Sequence, residues 1–112
     1  MEKGISFQEY PLKFIYVPVA PESIYPIQVC IAVSKKRINS SVQRNLIKRR
    51  TREAWRLNKH LFYDYLQSKG TELALMILYT GKEGGEFEEI NKALEKAFPK
   101  FQKVYESHQP PA

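Results

Sequence analysis

Ser34-Lys-Lys-Arg-Ile-Asn-Ser-Ser-Val-Gln-Arg-Asn-Leu-Ile-Lys-Arg-Arg-Thr-Arg-Glu-Ala54 is the stretch that organises this chain. It leaves an apolar run, crosses a basic loop and then takes up helical periodicity. Ser40 and Ser41 supply an N-cap. At about 100° per residue, Ile47, Thr51, Ala54, Trp55, Asn58 and Phe62 fall on one side of the helix. Lys48, Arg49, Arg52 and Arg56 fall on the neighbouring side with Asn45 among them, while Leu46 and Leu57 lie off the main stripe. The pattern predicts an amphipathic helix with an almost wholly cationic polar face, running to about Lys69, where Gly70 can end it.

The charge is concentrated. Between Lys35 and Lys59 the chain has ten Lys/Arg residues and one acid, Glu53, so this window carries +9, whereas the whole chain carries only +6. A mildly acidic remainder with one basic element is the electrostatic footprint of a polyanion binder. Arg44, Lys48, Arg52 and Arg56 recur every four residues. Like charges at that spacing repel, so the helix gains nothing from them on its own account, and a phosphate-bearing partner explains them. Lys35, Lys36 and Arg37 extend the patch past the strand end. The amide of Asn45 can read a base edge or a 2′-hydroxyl.

Outward from this element, 112 residues with 43% hydrophobic and 12% aromatic content predict one folded domain over 1–112, with a frayed tail at 107–112. Pro11 to Val19 reads as a strand, with Pro18 at an edge or strand end. Ala20 to Pro26 reads as a turn. Ile27 to Val33 reads as a second strand, antiparallel to the first. Glu72 to Tyr79 is a continuous apolar run, read as a strand buried on both faces. Gly81 to Gly85 reads as a flexible loop, and Glu86 to Phe98 as a final helix that Pro99 ends or kinks, with Phe101, Val104 and Tyr105 in a last short turn. The order is β-β-(β)-α-β-α, a small sheet with helices on one face. The longest apolar run is too short to span a bilayer. The first residues lack an export signal, so the expected location is the cytoplasm.

No protein-borne catalytic constellation emerges. His60 and His108 stand apart from each other and from Cys30, without metal-ligand spacing. Cys30 reads as an inert core thiol and Trp55 as core. Glu86, Glu88 and Glu89 sit where a helix dipole favours acids. Gly81 to Gly85 lacks the Gly-Lys-Ser/Thr ending of a phosphate loop. On the first strand Phe14 and Tyr16 share one face, Lys13 and Ile15 the other. Core packing and RNA stacking are equally open readings for Phe14 and Tyr16.

The basic stretch resembles the signature of the bacterial ribonuclease P protein subunit. In that family a strand ends in Ser-Lys-Lys and is followed, after a short loop, by a helix with Arg-Asn-Arg-x-x-Lys-Arg-x-x-Arg-Glu. Ser34, Lys35 and Lys36 match the strand end. Val42, Arg44, Asn45, Lys48, Arg49, Arg52, Glu53 and Ala54 match the helix. An apolar strand at Leu73 to Tyr79 and a Leu-Glu-Lys-x-Phe helix at Leu94 to Phe98 follow in family order. Two features depart from it. Leu46 stands where the family has the second arginine of its triplet, and this chain begins too late to contain the family's opening Phe-bearing helix, so either the start is truncated or that wall of the leader cleft is missing.

The resemblance implies an α+β fold, a small α/β sandwich of the ribosomal-protein type. Its helices lie on one face of a mostly antiparallel sheet, and a left-handed βαβ crossover carries the basic helix. It implies removal of the 5′ leader from precursor tRNA by a ribonucleoprotein whose RNA, with Mg²⁺, is the catalyst, while the protein itself holds no cofactor. The implied RNA-binding residues are Lys35, Lys36, Arg37, Arg44, Asn45, Lys48, Arg49, Arg52 and Arg56. Lys13, Phe14 and Tyr16 are candidates for the leader cleft. The implied partners are the catalytic RNA and precursor tRNA. A non-catalytic ribosome-associated or general RNA-binding module is the alternative.

Overall fold

The computed structural model describes residues 4–19 and 27–107. The turn expected at Ala20 to Pro26, His108 and the rest of the expected tail lie outside them. Six elements follow one another: β1 (Ile5–Glu9), β2 (Leu12–Val19), β3 (Ile27–Val33), α1 (Ser41–Lys69), β4 (Glu72–Tyr79) and α2 (Phe87–Ser107). The four strands form one sheet in the order β1-β2-β4-β3. β1 pairs antiparallel with β2, and β2 antiparallel with β4, whereas β3 pairs parallel with β4. The helices cover one side of this sheet, α1 packing against α2 and β3, and α2 lying over β1. This is the α+β architecture expected.

β2 and β3 do run in opposite directions, but they are not neighbours. β4 is inserted between them, because the long α1 crossover returns the chain to the centre of the sheet. β1 is an additional strand. Its Ile-Ser-Phe-Gln-Glu alternation is short, and it is stabilised at the edge by pairing Phe7 with Phe14, whose rings stack at 5.0 Å. Pro18 lies past the last β1 pair, near the end of β2, where its missing N–H is tolerated.

α1 follows its periodicity. Ile47, Thr51, Ala54, Trp55, Asn58, Phe62 and Leu66 form its buried face. The Ser40 hydroxyl accepts from the Gln43 N–H at 3.3 Å. At the other end Gly70 takes φ 65°, and its N–H and that of Thr71 turn back to the Gln67 and Leu66 carbonyls. The buried Asn58 amide donates to the Ala54 carbonyl and to Asn91 Oδ1, each at 2.8 Å, so its polar group is satisfied within the helix pair.

Three expectations are corrected. α2 does not stop at Pro99 but continues to Ser107. Phe101 and Tyr105 lie beyond the proline and are buried against the sheet, and this burial outweighs the one helical hydrogen bond that proline removes. β4 is not buried on both faces: Leu73, Leu75, Ile77 and Tyr79 are buried, while the alternate residues are half-exposed. The helices cover one side only. Cys30 is exposed, not a core thiol, because β3 is an edge strand and Cys30 points to the uncovered side.

The core is strongly aromatic. Tyr16, Phe62, Phe98, Phe101 and Tyr105 form one set of ring contacts between sheet and helices, with centroids 5.1–6.3 Å apart. Trp55 joins it through Phe62 at 5.2 Å.

Candidate nucleic-acid interface

The site is built from the end of β3, the following loop and the first turns of α1. Lys35, Lys36 and Arg37 form an exposed turn directly after β3. The loop is held down by Ile38, which is fully buried and whose N–H donates to the Ser34 carbonyl at 3.0 Å. Arg37 crosses to the Thr80 carbonyl at 3.1 Å. The Thr80 N–H in turn donates to the Pro11 carbonyl at 2.8 Å, so the basic loop, the end of β4 and the β1–β2 turn are tied together.

The cations of α1 divide into two groups. Arg44, expected as the first rung of a phosphate ladder, donates from Nη1 to the Ile38 and Asn39 carbonyls, both at 2.8 Å. It braces the loop that feeds the helix. Arg50 reaches from the flank of α1 to the Gly85 carbonyl. Arg56 is clamped to Glu53, with Nε at 2.8 Å from Oε1, and the carboxylate holds it still more firmly protonated. By contrast, among the described residues Lys48, Arg49 and Arg52 make no hydrogen bond or ion pair within the chain. Together with Asn45, Val42 and Leu46 they line one shallow depression on the outer surface of α1. The first turn of α1 contains no acid, so the helix dipole adds its positive end to the same region.

The stripe is thus real but narrower than expected. Asn45, Lys48, Arg49 and Arg52 are brought together. Lys35 and Lys36 stand beside the helix start, Arg37 and Arg44 brace the fold, and Arg56 is shared with Glu53.

The cleft candidates separate by strand parity. Phe14 is fully buried and Tyr16 is 1% exposed, both beneath the helices, so neither can meet a ligand on the open side of the sheet. Burial, with Tyr105 and Tyr65 nearby, pushes the Tyr16 phenol up to about 12. Lys13 has the opposite parity and lies on the open side with Ile15 and Val17, beside Ala74, Met76 and Leu78 of β4. No aromatic ring of the described strands shares that side.

The loop after β4 is fastened, not flexible as its glycines suggest. The Tyr79 hydroxyl donates to the Lys82 carbonyl at 2.7 Å, and Arg50 holds Gly85. A Cβ at Gly81 or Gly85 would collide with the Tyr79 phenol. No local sequence signal marks this tie, because the partners lie in different elements. Among the described residues no group of three or more His, Cys, Asp or Glu side chains converges to hold a metal, and no helix is long and apolar enough to cross a membrane.

Known proteins resemble this chain over most of its length. A family model described as Ribonuclease P matches residues 1–105. The ribonuclease P protein component of Porphyromonas gingivalis strain W83 is 33% identical over 95 residues, covering 85% of this chain and 69% of that protein. Among solved structures, the RNase P protein of Staphylococcus aureus superposes with a TM-score of 0.65 at 24% identity, covering 92% of this chain and 84% of that one. The RNase P protein of Thermotoga maritima gives 0.67 at 18% identity, covering 88% and 84%. At these identities the two structures establish the shared fold.

Proposed function

The chain belongs to the ribonuclease P protein family, and from that premise we propose how its cationic helix works. As a ribonuclease P protein component it is part of an endoribonuclease holoenzyme and serves tRNA 5′ processing. The partners are the catalytic RNA and precursor tRNA, met in the cytoplasm. The RNA, with Mg²⁺, supplies the hydrolytic chemistry. The protein lowers the repulsion between two polyanions and orients them.

One observation carries this reading. Lys48, Arg49 and Arg52 sit together on an exposed helix face, without a partner among the described residues. A guanidinium grips phosphate through two parallel N–H donors and an ammonium acts as a point charge. Each phosphate contact releases condensed counterions, so affinity falls steeply with salt. The dipole at the start of α1 and the loop cations Lys35 and Lys36 extend the same field towards the end of β3. The 5′ leader lies on the open side of the sheet, where Lys13 meets its backbone. With aliphatic residues around it and no ring on that side of the described strands, this surface contacts riboses and base edges and does not stack bases.

The test is reconstitution. Purified catalytic RNA at low Mg²⁺ should recover 5′-leader cleavage on addition of the wild-type protein, and Arg49→Ala/Arg52→Ala should fail to restore it at matched concentration. No rescue by the folded wild-type protein would reduce it to a general RNA-binding module.

A further inference from the structure

The depression on α1 is not uniformly polar. Val42 and Leu46, one helical turn apart, line it together with Asn45, Lys48, Arg49 and Arg52. Val42 is 73% exposed, the most exposed of the large apolar side chains among the described residues. It is also a weak helix former. An isolated pair of aliphatic side chains inside a cationic field has no role in the core: neither residue belongs to the buried cluster or packs against it. Phosphate binding does not use them either.

We propose that Val42 and Leu46 form an apolar seat for one unstacked nucleobase of the RNA partner. The flat face of the base lies on the valine and leucine methyl groups. The Asn45 amide, which offers both a donor and an acceptor, meets the base edge, and Arg49 and Arg52 hold the phosphates on either side of that nucleotide. Charge complementarity selects the occupant. Three cations without partners among the described residues exclude an ordinary apolar peptide and favour a polyanion, and among polyanions a single-stranded nucleic acid also presents an apolar face to cover the aliphatic pair. Leu46 occupies a position where the resemblance leads one to expect an arginine. This seat rests on the RNA-binding reading of α1 and adds to it a site for a specific nucleotide.

Salt titration separates the two ideas. Binding to the catalytic RNA from the same source is measured over a range of salt for the wild type, Leu46→Ala, Leu46→Arg and Val42→Ala, with helicity and melting checked by circular dichroism. Because Val42 is so exposed, its truncation leaves folding intact. Leu46→Ala and Val42→Ala should each weaken binding about fivefold with an unchanged salt slope, the loss of a small apolar contact. Base-selective chemical probing should show one unpaired nucleotide protected at its base by the wild type and exposed again in both alanine variants, while backbone protection persists. Wild-type affinity in both alanine variants would overturn the seat. So would tighter binding and a steeper slope for Leu46→Arg with an unaltered base-protection pattern, since Leu46 would then be merely a missing cation. A change in sedimentation of the free protein in the alanine variants would assign the pair to contact between copies instead. An unchanged slope for Arg49→Ala, in contrast, would remove the phosphate reading itself.

Discussion

Arg49 and Arg50 are neighbours in the chain, yet the helix sends them in different directions. Arg50 leaves the flank of α1 and ends on the Gly85 carbonyl, where it fixes the helix to the loop after β4. Arg49 projects outward beside Arg52 and has no partner within the described chain. Lys13 and Phe14 repeat the contrast on β2: one faces the open side of the sheet, the other is sealed under the helices. In both pairs one residue faces the protein's own interior or backbone and the other faces outward. A count of basic or aromatic residues does not separate these roles; the roll of the helix and the parity of the strand do.

The contrast can be broken in several places. The largest effect should come from Phe14→Ala, which empties the aromatic core and should lower unfolding free energy by about 3–5 kcal/mol in denaturant titration. Lys13→Ala should change it by less than about 0.5 kcal/mol. Equal costs would mean that the strand parity is wrong. Next, Arg49→Ala/Arg52→Ala should leave the melting temperature nearly unchanged and make the logarithmic salt dependence of RNA binding shallower by about two. Retention of the full slope would show that neither side chain meets phosphate. Arg50→Ala should do the converse, costing about 1–3 kcal/mol of stability through the lost hydrogen bond.

Alkaline pH probes the buried tyrosines of the inner side. Burial, above all, raises the phenols of Tyr16, Tyr65 and Tyr79, the first to about 12. The folded protein therefore keeps protons that the unfolded chain releases above its ordinary tyrosine value of 10.0. Stability from this source should be complete below about pH 10 and decline as pH climbs towards 12. Phenolate absorbance tracked alongside the denaturation midpoint checks it, and a flat midpoint across that range would contradict it. The smallest effect belongs to Glu53→Gln. It should release Arg56 and tighten RNA binding only slightly in the same salt titration, since an exposed ion pair is weak.

Much of this was legible in the sequence for local reasons. The buried stripe of α1 from Ile47 to Phe62, its serine cap and its Gly70 stop follow from periodicity and from backbone chemistry contained in a few consecutive residues. What stayed hidden is non-local. Nothing near Ile27 to Val33 announces that β4 will lie between it and β2. Nothing near Pro99 states that Phe101 and Tyr105 will be buried deeply enough to carry the helix through a proline. Within the site, spacing put Lys48, Arg49 and Arg52 on the outer face of α1, which is where the fold has them. It could not distinguish them from Arg37, Arg44 and Arg50, whose acceptors are carbonyls in other segments. The exposure of Cys30 likewise depends on where its strand lies in the sheet.

The loop of Gly81 to Gly85 has a reach beyond its size. Because Tyr79 fills the space where side chains at Gly81 and Gly85 would go, and Gly85 takes the Arg50 guanidinium from 35 residues earlier, this loop is bolted to the flank of α1. Two residues that carry no side chain therefore help to fasten the helix on which Lys48, Arg49 and Arg52 stand. A methyl group added at Gly85 would press on the Tyr79 phenol and disturb the seating of a helix whose cations point the other way.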